Sequence, residues 1–128
     1  MPQTEVRVFR SSPETVPLLE WLDELSRRQP KAYFKCLARV LALAELGHEL
    51  RRPAADLLTG GIYELRVRHA NVNYRMLYFF CGVHVACLSH GFTKESAVPP
   101  AEIELAAARK KLVAISMNRY TANFEDLV

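Results

Sequence analysis

The sequence is poor in cysteine and has no apolar run long enough to cross a bilayer. Cysteine occurs at positions 36, 81 and 87 only, an odd set without CxxC spacing, so neither a disulfide framework nor a paired thiolate metal site is expected. The longest apolar stretch, Met76 to Leu88, is broken by Gly82 and His84 and falls short of the roughly 18 residues that a spanning helix requires. Residues 1–15, MPQTEVRVFRSSPET, carry charges throughout, unlike a secretory leader. A protein of the reducing cytoplasm with no membrane contact is the expectation. There is also no phosphate loop, no GxSxG elbow and no HExxH pair, which disfavours the enzyme classes built on those devices.

What is present suffices for one core. The 128 residues are 50% hydrophobic and 24% charged, values of an ordinary globular domain that needs no staple. A single domain spanning 1–128 is expected, with its core at about 5–112 and a tail over 113–128. The 17 Lys and Arg against 14 Asp and Glu leave a formal charge of +3, which permits an anionic partner without demanding one.

Hydrophobic periodicity changes several times along the chain. EVRVFR at 5–10 alternates as a short strand, at an edge or an end of a sheet. Ser12 before Pro13, or Thr15 before Pro17, can start a helix, and the later start fits better the recurrence of Leu18, Leu22 and Leu25 up to Arg27 and Arg28. Pro30 opens a second helix with Tyr33, Leu37, Val40, Leu41 and Ala44 on one face, ended by Gly47. Residues 48–61 read as a connector with at most one helical turn. Three strands follow, at 62–68, 74–80 and 83–90, divided by HANVN at 69–73 and by Cys81–Gly82. On the first, Tyr63, Leu65 and Val67 share one face and Glu64, Arg66 and Arg68 the other. On the third, Val83, Val85 and Cys87 oppose His84 and His90. Pro99–Pro100 begin a last helix carrying Ile103, Ala106 and Ala107, and the tail from Ser116 has no clear period.

The β-α-α-β-β-β-α string predicts an α+β fold of two layers: an antiparallel sheet, made of an N-terminal strand and a three-strand meander, packed on two N-terminal helices, with a C-terminal helix. His84 and His90 share a strand face, but no carboxylate or cysteine cluster converges on them, so no metal is expected. The chemistry that remains is basic. Arg66 and Arg68 on one strand, Arg75 on the next and Lys94 after the third can meet at one spot, because neighbouring strands stand about 5 Å apart. Guanidinium forks suit phosphate oxygens and can stabilise a phosphoryl transition state; on spacing alone, scattered strand arginines more often form a solvated face.

The run GGIYELR at 60–66, NYRMLYFF at 73–80, HGFTKES at 90–96 and PPAEIELAAAR at 99–109 resembles the phage-derived HigB-like branch of the RelE/ParE toxin superfamily. The resemblance covers about residues 5–112 and implies a RelE-like fold. It further implies the toxin of a type II toxin–antitoxin pair: a metal-independent, cofactor-free endoribonuclease that cleaves mRNA, commonly on the ribosome. Cleavage would proceed by attack of a ribose 2′-hydroxyl on the adjacent phosphate. Carried over by position, the functional residues are Glu64, Arg66, Arg75 and Lys94. Arg75 and Lys94 would bind the phosphate, and Arg66 would orient the backbone. Glu64 would transfer a proton or hold an arginine, and a cross-strand ion pair is an equal reading of it. His90 is a second acid or base candidate, and Arg68 a further RNA contact beside Arg66 and Lys94. The implied partner is a small antitoxin, often with a helix-turn-helix, covering the basic face or blocking entry to the ribosome. Two departures stand out: Glu95 follows Lys94 where a second cation is usual, and Pro99 stands where relatives often have tyrosine, leaving Tyr120 as a weak substitute. The ParE branch implies a competing activity, inhibition of DNA gyrase by binding, and an antitoxin-binding remnant without activity is a third.

Overall fold

The computed structural model describes residues 3–93 and 96–128. In chain order the elements are β1 (Glu5–Phe9), α1 (Pro17–Arg28), α2 (Pro30–Leu46), β2 (Ala55–Thr59), β3 (Ile62–His69), β4 (Val72–Phe80), β5 (Val85–Thr93), α3 (Pro100–Ile115), α4 (Met117–Tyr120) and β6 (Thr121–Asn123). The strands form one sheet in the order β2-β3-β4-β5-β1-β6. The result is the α+β, RelE-like architecture expected from the sequence.

The meander from β2 to β5 is antiparallel, but β1 runs parallel to β5, so the sheet is mixed and not antiparallel throughout as expected. Alternation along the strands gives each face its character. Val6, Val8, Leu65, Val67, Met76, Tyr78 and Leu88 point to one face, where Leu18, Leu22 and Leu25 of α1 and Cys36, Val40 and Leu43 of α2 seal them from water. Phe9, Ile62, Leu77, Phe79 and Cys87 point to the other, beneath Ala106 and Val113 of α3. The C-terminal helix is therefore a partial third layer, and the part of the second face that it leaves open holds the site.

Several local expectations are corrected. The connector at 48–61 contains β2, whose Ala55, Asp56 and Leu57 pair with Leu65, Glu64 and Tyr63. Gly60 and Gly61, both at positive φ, make the turn into β3. The tail is ordered: Arg7, Val8 and Phe9 pair with Asn123, Ala122 and Thr121, so β1 lies inside the sheet rather than at its edge. Helix α1 has Val16 as its N-cap and no side-chain cap, because Thr15 is engaged in a turn that pairs it with Ser12. On α2, Val40 and Ala44 are buried, but Leu41, one residue round the helix from Val40, is 60% exposed.

The last strand is shifted. Val83 and His84 lie in the loop before β5, and the register changes between Leu77 and Tyr78, which face His90 and Leu88. Ser89 is the extra residue of a bulge, and it turns His90 onto the same face as Cys87 instead of the opposite one. The following residue, Gly91, is fixed by packing: a methyl there would lie 2.3 Å from Cε3 of Trp21. Gly91→Ala should push α1 off the sheet and cost about 1–3 kcal/mol, read as a lower urea midpoint. In the β3–β4 turn, Ala70 and Asn71 sit at φ 50° and 65°, a conformation in which a β-carbon is strained. Ala70→Gly should raise stability by about 1 kcal/mol, measured in the same way.

Candidate functional site

Strand alternation places Glu64, Arg66 and Arg68 on the face of β3 away from α1 and α2. Pairing then sets their neighbours: Asp56, Glu64, Leu77 and His90 form one row across β2 to β5, and Arg66, Arg75 and Phe92 the next. Glu64 has no exposed surface. Its Oε2 accepts a hydrogen bond from Nη1 of Arg75 at 2.9 Å, and its Oε1 accepts one from Nε of Arg66. Arg66 Nη2 also donates to Asp56 Oδ2 at 3.1 Å, and Arg52 Nε donates to Asp56 Oδ1 at 2.9 Å. The hydrogen bond from Arg52 holds the Asp56 carboxyl below the usual carboxylate range, with the charge of Arg66 acting in the same direction.

Charge in this chain is unbalanced, with three guanidiniums against two carboxylates. The Arg75 side chain is only 12% exposed, and its Nε is buried without a hydrogen-bond partner. A buried donor left unpaired costs about 1–3 kcal/mol, a cost the folded protein carries at this position. Arg66, 41% exposed, reaches the same open face. The pair can hold an anion between strands while Glu64 fixes both guanidiniums from behind.

His90 does not join this group. Leu77 stands between it and Glu64 in the cross-strand row, a separation of about 10 Å at ordinary strand spacing. It belongs to a second polar cluster under α3: its Nδ1 is 2.8 Å from Ser89 Oγ, and its Nε2 is 3.4 Å from Glu102 Oε1 without a hydrogen bond. Arg109 Nη1 donates to the Ser89 carbonyl at 3.1 Å, and its guanidinium lies 4.7 Å above the centre of the Phe9 ring. Burial pushes the His90 pKa below the usual imidazole value, Glu102 opposes the shift and Arg109 adds to it.

Arg68 is exposed, and among the described residues its side chain makes long contacts to Asn71 and Asn73. Lys94, and Glu95 beside it, lie outside the described residues. Pro99 is the N-cap of α3, while Tyr120 stacks on Phe9 next to β6, at the opposite edge of the sheet from β3. His84 is off the strand and so does not share a face with His90. Among the described residues no group of three or more His, Cys, Asp or Glu could hold a metal, and the cysteines are free, with burial pushing the Cys36 thiol up to about 12. Asp56 and Arg52 have no functional part in the connector expected at 48–61. The available signal was the Gly60–Gly61 pair between two apolar stretches, a hairpin signature.

Fold and site together define an α+β protein of the RelE-like kind, with an arginine-lined open sheet face. Residues 20–111 match the family described as phage-derived protein Gp49-like (DUF891). The chain belongs to that family, which is toxin-like and of the RelE/HigB type. No curated protein matches the chain. No helix among the described residues is long and apolar enough to cross a membrane.

Two outcomes follow from this geometry. Glu64→Ala leaves two arginines facing each other over a void and should destabilise the protein by about 3–5 kcal/mol, measured by chemical denaturation. The unfolded chain protonates His90 more readily than the folded one. The stability due to neutral His90 is therefore full above the ordinary imidazole pKa of about 6.5 and is lost as pH falls through that value toward the lower folded one. His90→Gln should flatten the stability profile over that interval, and an unchanged slope would assign it to other groups.

Proposed function

We propose that the chain is the toxin of a type II toxin–antitoxin pair and a metal-independent endoribonuclease that cleaves mRNA, with the ribosome as its setting. The observation that carries this reading is the pair Arg66 and Arg75, on adjacent strands, held by one buried carboxylate and facing an open surface. A phosphodiester placed over the pair would meet the exposed part of the Arg75 guanidinium and the more open guanidinium of Arg66. Charge that develops on the phosphate as the 2′-hydroxyl attacks is then met by donors already in position. Lys94 is assigned to the same phosphate by sequence.

Glu64 acts in this mechanism as a positioning residue, because both its oxygens are engaged and neither meets solvent. His90 keeps its place as an acid or base candidate only as an imidazole, and burial lowers its pKa from the ordinary value. Movement of α3, which covers it, would have to precede proton transfer. The partner that neutralises such a toxin is an antitoxin laid over the arginine face, excluding RNA by occupying it.

The test is incubation of the purified protein with RNA, alone and on translating ribosomes, in the presence of chelator. Fragments with 2′,3′-cyclic phosphate and free 5′-hydroxyl ends are expected. Arg75→Lys, which keeps the charge facing Glu64, should lower the cleavage rate about 100-fold, and Arg66→Gln should impair cleavage without unfolding. Intact RNA in both settings overturns the reading, and relaxed-DNA supercoiling blocked in a gyrase assay would replace it with the inhibitor reading.

A further inference from the structure

The open face continues past Arg66 to the rim of the sheet. Strand β2 pairs with β3 only as far as Leu65, and the last bond across this edge runs from the Arg66 amide to the Ala54 carbonyl at 2.8 Å. Beyond it the edge of β3 is bare. A cleft of about 320 Å³ lies there, lined by Arg39, Pro53, Arg66, Val67, Arg68 and Asn73. Arg66 and Arg68 come from the open face, whereas Arg39 comes from α2 on the other side of the sheet, so the cleft wraps round the strand edge.

Its charge is not compensated as that of the Glu64 cluster is. No carboxylate lies within ion-pair distance of Arg39 or Arg68 among the described residues. Three guanidiniums from two layers converge on one concavity, and only Arg66 is balanced by Asp56 and Glu64. Arg66 thus belongs to both places, with Arg75 across the strand on one side and Arg68 about 7 Å along the strand on the other. Arginine forks bind phosphate oxygens in bidentate fashion, and the exposed strand edge offers main-chain donors as well.

We propose that this rim cleft is a second phosphate subsite, in which Arg39 and Arg68 hold the backbone phosphate next to the one engaged by Arg66 and Arg75. The proposal rests on the reading that the open face binds an RNA strand. It gives Arg39, on a helix whose inner face packs on the core, a part in strand binding, and it sets the direction of the strand from the middle of the sheet outward over the edge of β3.

The test uses uncleavable 2′-O-methyl oligonucleotides and the full chain. A trinucleotide with two internal phosphates should bind the wild type roughly tenfold more tightly than a dinucleotide with one, and Arg39→Ala should abolish that advantage. The slope of log affinity against log salt for the trinucleotide should fall by about 1 in Arg39→Ala and stay near the wild-type value in Arg39→Lys. An equal thermal midpoint in both variants excludes unfolding. Unchanged affinity and slope in Arg39→Ala overturn the subsite, and so does inorganic phosphate binding as tightly as the trinucleotide, which would make the cleft a free-anion site. Failure here is separable from failure of the nuclease reading: a two-phosphate signature without cleavage of unmodified RNA removes only the chemistry, and cleavage with an indifferent Arg39 removes only the subsite.

Discussion

A carboxylate without solvent contact, gripped on each side by a guanidinium, is the constraint on which the open face depends. Glu64 cannot leave this arrangement cheaply, since a charge stripped of water and partner is among the most costly features a core can contain. Arg66 and Arg75 in turn lose their side-chain freedom to it. Two long, flexible cations thereby become a fixed pair with defined spacing, and the entropy of ordering them is spent in folding rather than in binding. Asp56 extends the clamp to β2 and adds Arg52 at its end. The strand-to-strand pairing of Asp56, Glu64 and Leu77, and the Arg66–Arg75 row beside it, carry the geometry.

The remainder of the fold isolates that clamp. Helices α1 and α2 take up the whole apolar face, and α3 covers only part of the reverse face, where Ile62, Leu77, Phe79 and Cys87 need shelter. The boundary between covered and bare sheet falls along β3 and β4, which is where the arginines stand. The bulge at Ser89 serves the same division: by turning His90 under α3 beside Arg109 and Glu102, it gathers the second polar group away from the first. Two polar clusters on one face are kept apart by the apolar Leu77.

Much of this was legible in the sequence because it follows from period alone. The two-residue alternation of 62–68 fixed which side Glu64 and Arg66 take, and Pro17, Pro30 and Pro100 marked the helix starts. What period could not give was partnership. Ala55–Thr59 is too short and too mixed to stand out as a strand, and becomes one only because a glycine pair folds it back on β3. Thr121–Asn123 is a strand only because β1 offers an edge. The face of His90 depended on a one-residue bulge, which inverts every alternation after it. For the site, the residue types and strands were readable, but the engagement of both Glu64 oxygens and the contribution of Asp56 arise from contacts between segments.

The central claim is that the fold presents Arg66 and Arg75 to a phosphate as one pair fixed by Glu64. The most direct measurement is the guanidinium proton–nitrogen resonances of Arg66 and Arg75 in the labelled protein, followed while an uncleavable RNA dinucleotide is added. The account predicts downfield shifts and slowed solvent exchange of protons on both guanidiniums as the phosphate becomes their acceptor, with the Glu64 contacts intact. Resonances that neither move nor gain protection at saturating RNA would contradict it.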